Sequence, residues 1–160
     1  MRLAIAIPVI VVLVLIRQHG SPSKGQQALS HWADAYGIPV TKVLQPLLAQ
    51  LGNGLTTLAG EPMNTHLLRA IHRDCIEGQR EFKVMGTEPL PPNATLGKTY
   101  AEVRRTGTAM FSTCLVIFPG TVLNQSRPAL ALFNRDISGL DTEMQTLASQ
   151  ATAVGITFSN

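Results

Sequence analysis

The residues of this 160-residue chain that are best suited to chemistry are its two cysteines, Cys75 and Cys114. His72 lies one helical turn before Cys75 and Asp74 is its neighbour, so the group could form an activated thiol nucleophile. An activated thiolate needs an exposed, electropositive setting, whereas Cys75 falls on an apolar stripe. No Cys-x-x-Cys pair is present either, which argues against a disulfide exchanger. The pattern favours a structural disulfide between Cys75 and Cys114 over two buried free thiols or a catalytic thiol.

The histidines and carboxylates do not form another recognisable site. His66 and His72 are six residues apart and lie on different helix faces, whereas His31 and Asp34 could share one face. Two ligands do not make a metal site, and the sequence has no P-loop, Gly-x-Gly-x-x-Gly, His-Glu-x-x-His or Gly-x-Ser-x-Gly motif. Three acidic residues flank an apolar stripe and are expected on a solvated face: Asp136, Asp141 and Glu143. We therefore predict no catalytic, metal-binding or cofactor-binding residues, and a protein that is not an enzyme.

The basic charge of the chain is concentrated at its N-terminus. The net charge is +3. Arg2, Arg17 and Lys24 account for it, since the rest of the chain contains ten basic and ten acidic residues. The folded part is therefore neutral overall, and nothing in its charge predicts the basic patch or stripe that nucleic-acid binding requires. We predict no nucleic-acid partner.

The N-terminal segment predicts export. Residues 3–16 are fourteen uncharged apolar residues, which would span about 21 Å as a helix against a hydrocarbon core of about 30 Å. That length is typical of the apolar region of a signal peptide, and a membrane anchor is the alternative. We predict a signal peptide or membrane anchor at residues 1–17, a polar linker at 18–27 and a folded domain at 28–160. The chain would contact the membrane through residues 3–16 if the segment is retained.

The composition favours a helical domain. Apolar residues make up 45 % of the chain and aromatic residues only 5 %, which is typical of a core packed with leucine and alanine. Apolar residues recur at helical spacing in five segments near residues 28–36, 40–59, 63–84, 93–118 and 126–158. The residues Gly37-Ile38-Pro39 are expected to end the first segment. We predict an all-α, up-and-down bundle of about four helices with one inter-helix disulfide.

The disulfide sets a register that can be checked. Antiparallel helices bridged at Cys75 and Cys114 pair residues whose numbers sum to about 189, so Phe82 faces Gly107 and Gly78 faces the ring of the fourth helix, Phe111. Each large ring then meets a residue without a side chain, which fills space without strain. The two cysteine Cα atoms should lie within about 7 Å of each other.

The last predicted helix has the longest apolar seam, and acidic residues flank it. A parallel homodimer through this seam would bring Asp136, Asp141 and Glu143 of two chains together, which is unfavourable. We therefore predict that the seam packs inside its own chain.

The order of these features resembles a group of small exported helical proteins and lipoproteins of mycobacteria and related actinobacteria. The resemblance covers residues 28–118 and comprises a central cysteine at Cys75, a Pro-Pro loop, and a helix with Leu96, Tyr100 and Cys114. This chain lacks the lipidated cysteine that many members carry after the signal. The resemblance implies a disulfide-linked bundle in the cell envelope and no known activity.

These observations lead to two functional hypotheses. The first is an exported, non-enzymatic cell-envelope bundle, secreted or anchored by a single segment, that binds an unknown envelope protein or serves as a structural component. The second is a carrier of a small apolar molecule between helices, which would need a pocket of roughly 300 Å³ or more. An exposed apolar patch at residues 32–36 would favour a protein partner.

Overall fold

A computed structural model describes residues 13–15, 23–124 and 126–158, and it forms an all-α, up-and-down bundle with one inter-helix disulfide. The predicted fold class is confirmed. In chain order the elements are β1 (Leu13–Leu15), α1 (Lys24–Trp32), a π-helical turn (Ala33–Gly37), α2 (Ile38–Gly60), α3 (Thr65–Met85), α4 (Ala94–Ile117), α5 (Arg127–Ala153) and β2 (Ile156–Phe158).

The first helical rod, which comprises α1, the π turn and α2, is longer than the sequence pattern predicts. It begins at Lys24, inside the predicted linker, because Ser23 and Gln26 form a capping box that satisfies two backbone N–H groups. The predicted break before Pro39 is wrong, since α1 continues through the π turn into α2. The Ile38 N–H bonds to the Ala33 carbonyl five residues back. The widened turn lets the helix continue past Pro39, which has no N–H to donate.

The α3–α4 pair has the predicted register. Cys75 and Cys114 are joined by a disulfide with a Cα–Cα separation of 5.7 Å, and both residues are completely buried. A Cβ added to Gly78 would overlap the Phe111 ring, and one added to Gly107 would overlap the Phe82 ring. The two rings pack against each other with centroids 5.6 Å apart. The disulfide and two layers of glycine against phenylalanine therefore fix one close helix pair.

The end of α5 departs from the prediction of a helix reaching residue 158. The helix ends at Ala153, because Gly155 adopts a φ of +85°, in the left-handed region that glycine tolerates. The chain then forms β2, which pairs antiparallel with β1, so that Leu15 faces Ile156. The α5 seam packs in the core of its own chain, as predicted, through residues such as Phe133 and Leu140.

The predicted export segment lies mostly outside the described residues. Of residues 1–17, only 13–15 are described, as β1. Within the described ranges, no helix combines the length and apolar character needed to cross a bilayer. Signal-peptide, anchor and membrane contact through residues 3–16 all stay predictions.

Candidate apolar cleft

The buried apolar residues fall into two clusters instead of one. The main core joins α2, α3, α4 and α5 and contains both cysteines. A smaller cluster lies where α1 meets the ends of α4 and α5 and consists of Leu29, Ala33, Leu96, Ala151 and Ile156. The half-buried side chains of Trp32 and Leu147 contact both clusters.

A partly enclosed cavity of about 70 Å³ lies between these two clusters. We call it the apolar cleft, and its walls come from Trp32 at the end of α1, the π turn, the first half of α2, the end of α3, α4, α5 and β2. Its lining includes Trp32, Gly37, Tyr100, Met144, Leu147 and Ile156. Among the described residues, its lining contains no charged side chain. A cavity of this kind offers a ligand the burial of apolar surface.

The π turn builds one wall of the apolar cleft. Ala33 and Gly37, its first and last residues, are both buried and both line the cavity. Their small size leaves the space that larger side chains would fill. Single π turns inside α-helices occur frequently at functional sites, so the wall has a backbone geometry that is consistent with a binding role.

A polar cluster ties the proline-rich loop to the rim of the apolar cleft. The Trp32 indole N–H donates to the Pro89 carbonyl at 2.8 Å. The Tyr100 hydroxyl donates to the Glu88 carboxylate at 3.0 Å, and its ring meets the Trp32 ring edge-on at 5.1 Å. The Arg104 guanidinium donates to the Glu88 carbonyl at 3.1 Å and lies 5.7 Å from the Tyr100 ring centre. The loop is thus anchored to both α1 and α4.

The environment of Tyr100 perturbs its ionisation. Burial raises the pKa of the Tyr100 phenol well above its ordinary value of 10.0, and the negative charge and hydrogen bond of Glu88 raise the pKa further. Arg104 opposes these effects without cancelling them. The phenol therefore stays protonated and keeps donating to Glu88 under conditions in which an exposed tyrosine would ionise.

This shift predicts a stability loss at alkaline pH. In the unfolded chain Tyr100 ionises near pH 10, whereas in the folded chain it stays protonated, so the unfolded state is favoured increasingly above that pH. We expect the free energy of unfolding to fall by on the order of 1 kcal/mol per pH unit from this group. Tyr100→Phe should remove that part of the slope in denaturant titrations at about pH 9 to 11. If the free energy of unfolding fell with pH equally steeply in the variant and the parent, the prediction would be contradicted.

The two cysteines occupy a structural position. They lie in the core as a disulfide, so neither is a free thiol that His72 or Asp74 could activate. His72 instead donates from Nδ1 to the Phe118 carbonyl at 2.6 Å and so satisfies the end of α4. Burial raises the pKa of the Asp74 carboxyl, although Arg73 partly opposes the shift. The arrangement matches the structural disulfide predicted from the sequence.

The acidic residues of α5 are less solvated than predicted. Asp136 is only 6 % exposed and accepts hydrogen bonds from Arg135, so the prediction of a solvated face is wrong for this residue. Glu143 accepts a hydrogen bond from the Thr106 hydroxyl at 2.8 Å, which links α5 to α4. The reason is that α5 packs closely on α4 and carries these carboxylates into the contact.

No group of three metal-binding side chains occurs among the residues whose structure is described. His31 and Asp34, the one pair predicted to share a face, are both exposed. Trp32 and Tyr36 are half-buried, so an exposed apolar patch at residues 32–36 is not formed. Comparisons with protein-family models, curated proteins and solved structures gave no match. The resemblance to exported actinobacterial proteins therefore stays a prediction.

The apolar cleft itself was not predicted from the sequence. It depends on Trp32 meeting Tyr100 and on Ile156 reaching back to α1, contacts between parts of the chain that are far apart. The available signal was the small residues Ala33 and Gly37 beside the single tryptophan. Small residues beside a tryptophan more often indicate a turn than the wall of a cavity.

Proposed function

We propose that this protein is an exported, non-enzymatic helical bundle of the cell envelope that binds an envelope partner or serves as a structural component. The observation that carries the proposal is the fully buried disulfide between Cys75 and Cys114. Disulfides of this kind persist in oxidising compartments and are rare in the cytosol. The apolar region at residues 3–16 supplies a means of reaching such a compartment.

The location can be tested with a C-terminal epitope tag in a bacterial host. In spheroplasts, added protease should remove the tag while a cytoplasmic marker survives. The variant Ile10→Arg/Val12→Arg interrupts the apolar region with charge and should leave the tag protected. A tag on the parent protein that resists protease until the membrane is lysed would contradict the proposed export.

A second candidate function is that of a carrier for a small apolar molecule, and the apolar cleft favours it. The uncharged lining would accept the apolar part of a ligand and leave a charged head group outside. The cavity of about 70 Å³ is smaller than the sites of roughly 300 Å³ or more that enclose ligands. The carrier hypothesis therefore requires the cleft to widen when a ligand enters.

Binding can be followed through Trp32, the single tryptophan of the chain. Octanol, and octanoate as its charged counterpart, should change the tryptophan emission in a saturable way. Ala148→Leu would fill the apolar cleft and should weaken binding by about tenfold or more. Ala131→Leu, on the exposed face of the same helix, is the matched control and should bind like the parent. Equal binding by both variants would exclude the cleft as the site.

A further inference from the structure

We infer that α1 is a hinged lid over the apolar cleft, and that it opens at the π turn to admit a single alkyl chain. This inference rests on the proposed carrier function and adds how a ligand enters and what its chemistry is.

The small volume of the partly enclosed cavity requires a moving wall. An engineered apolar cavity of about 150 Å³ in another protein accommodates benzene, and the cleft has about half that volume. Protein interiors are packed densely, so such a space does not stretch uniformly. One wall must therefore move away from the others when a ligand larger than a few atoms enters.

Of the helices that line the apolar cleft, α1 has the fewest buried residues, and it contributes Trp32 alone to the lining. Leu29 is the one fully buried residue among its nine, whereas α2 buries seven residues and α4 eleven. Leu29 belongs to the smaller apolar cluster and lies outside the main core. A movement of α1 would withdraw Leu29 from Leu96, Ala151 and Ile156 in the smaller cluster. It would leave the disulfide-linked α3–α4 pair intact.

The π turn provides the hinge. In its five residues, hydrogen bonds to the carbonyl five residues back replace the regular α-helical bonds to the carbonyl four residues back. Pro39 follows and has no N–H to donate. Bends in long helices occur at prolines and at π turns, and here the two coincide. The hinge residues Ala33 and Gly37 also line the cleft, so a change of angle at the turn changes the cavity directly.

The closed position is held by a latch at Trp32. Its indole N–H donates to the Pro89 carbonyl, and its ring contacts Tyr100. The loop is itself anchored by Tyr100 and Arg104 through Glu88, so the latch fastens α1 to a fixed point on α4. Losing the Trp32 hydrogen bond should favour the open state without disturbing the main core.

The lining indicates the ligand. Met85 and Met144 have flexible thioether side chains that adapt to an irregular apolar guest. The described lining carries no charge with which a buried head group could pair, so an acid or phosphate on the ligand would have to stay outside. An unbranched alkyl chain meets both conditions.

The lid can be tested on the full chain by dipolar spectroscopy with two spin labels. One pair, Ala28→Cys with Ser149→Cys, joins exposed positions on α1 and α5; a control pair, Asn53→Cys with Ser149→Cys, joins α2 and α5. Because Cys75 and Cys114 are buried as a disulfide, the labels react with the new cysteines. Octanol should add a longer distance for the first pair and leave the control pair unchanged. Bound octanol with neither distance changed would overturn the lid.

A second variant tests the latch without any ligand. Trp32→Phe keeps an aromatic ring and removes the indole donor, and the open population of the first label pair should rise about three- to tenfold, the equivalent of one hydrogen bond. Tyr36→Phe removes a hydroxyl from the π turn and leaves the Pro89 bond, so it should behave like the parent. An unchanged population in Trp32→Phe would contradict the lid. Failure of octanol to bind, with the latch effect present, would instead exclude the carrier function alone.

Discussion

Replacing Gly78 with alanine is expected to destabilise the bundle by about 1–3 kcal/mol or more, the usual cost of overpacking a core. The added Cβ would overlap the Phe111 ring, and the ring is held in turn by Phe82. The neighbouring disulfide prevents α3 and α4 from moving apart to make room. Urea denaturation followed by circular dichroism would give the change in free energy of unfolding.

Gly60→Ala is the matched control for this substitution. A Cβ at Gly60 meets nothing within 4 Å, and the residue lies at the exposed end of α2. Alanine is the better helix former by up to about 1 kcal/mol, so this variant should be neutral or slightly more stable. Equal destabilisation by Gly60→Ala and Gly78→Ala would mean that contact with Phe111 is not the cause.

A double-mutant cycle would assign the cost to the ring itself. Phe111→Leu should destabilise the parent because it leaves a cavity, but it should cost less in the Gly78→Ala background, where the smaller side chain also relieves the overlap. We expect a coupling of about 0.5–3 kcal/mol, in the range found for residues in contact. Simple additivity of the two changes would contradict the predicted layer.

Removing the disulfide should lower the free energy of unfolding by more than Gly78→Ala does. The bridge closes a loop with a sequence separation of 39, for which loop-closure entropy gives about 4 kcal/mol. Because small domains are stable by only about 5–15 kcal/mol, Cys75→Ala/Cys114→Ala should lower the unfolding midpoint sharply and approach the limit of folding at 37 °C. Denaturant titration of the parent and the double variant measures the difference.

The double variant also removes two sulfur atoms from the core, so the parent refolded under reducing conditions is the appropriate control. It keeps both side chains and lacks only the covalent bond. We expect most of the loss to occur in this reduced parent, with a smaller additional loss in the alanine variant from the space left behind. A reduced parent as stable as the oxidised one would show that the disulfide adds nothing to the stability.

The α3–α4 pair could be predicted from the sequence because its constraints are local and complementary. Cys75, Gly78 and Phe82 share one helix face, and their counterparts on α4 occur in reversed order at the same spacing. An antiparallel register therefore places small against large at each layer, and the structure confirms it. Few other registers satisfy the same set of residues.

The first rod and the end of α5 could not be predicted because each depends on a single backbone choice. Proline at position 39 is a strong break signal, and the π turn that bypasses it has no clear sequence signature. Gly155 could end a helix or continue it, and its positive φ is set by the chain turning back to pair β2 with β1. The apolar cleft depends on both outcomes, which is why the candidate site was missed while the core pair was found.

The measurement that most directly tests the disulfide-linked bundle is the mass of the native protein isolated from its own host without reductant. After denaturation with a thiol-blocking reagent present, we expect no alkylation and a mass two hydrogens below that of the dithiol chain. Digestion should then release one peptide pair joined through Cys75 and Cys114. Alkylation of both cysteines in the unreduced protein would contradict the disulfide in the native protein and, with it, the main support for export.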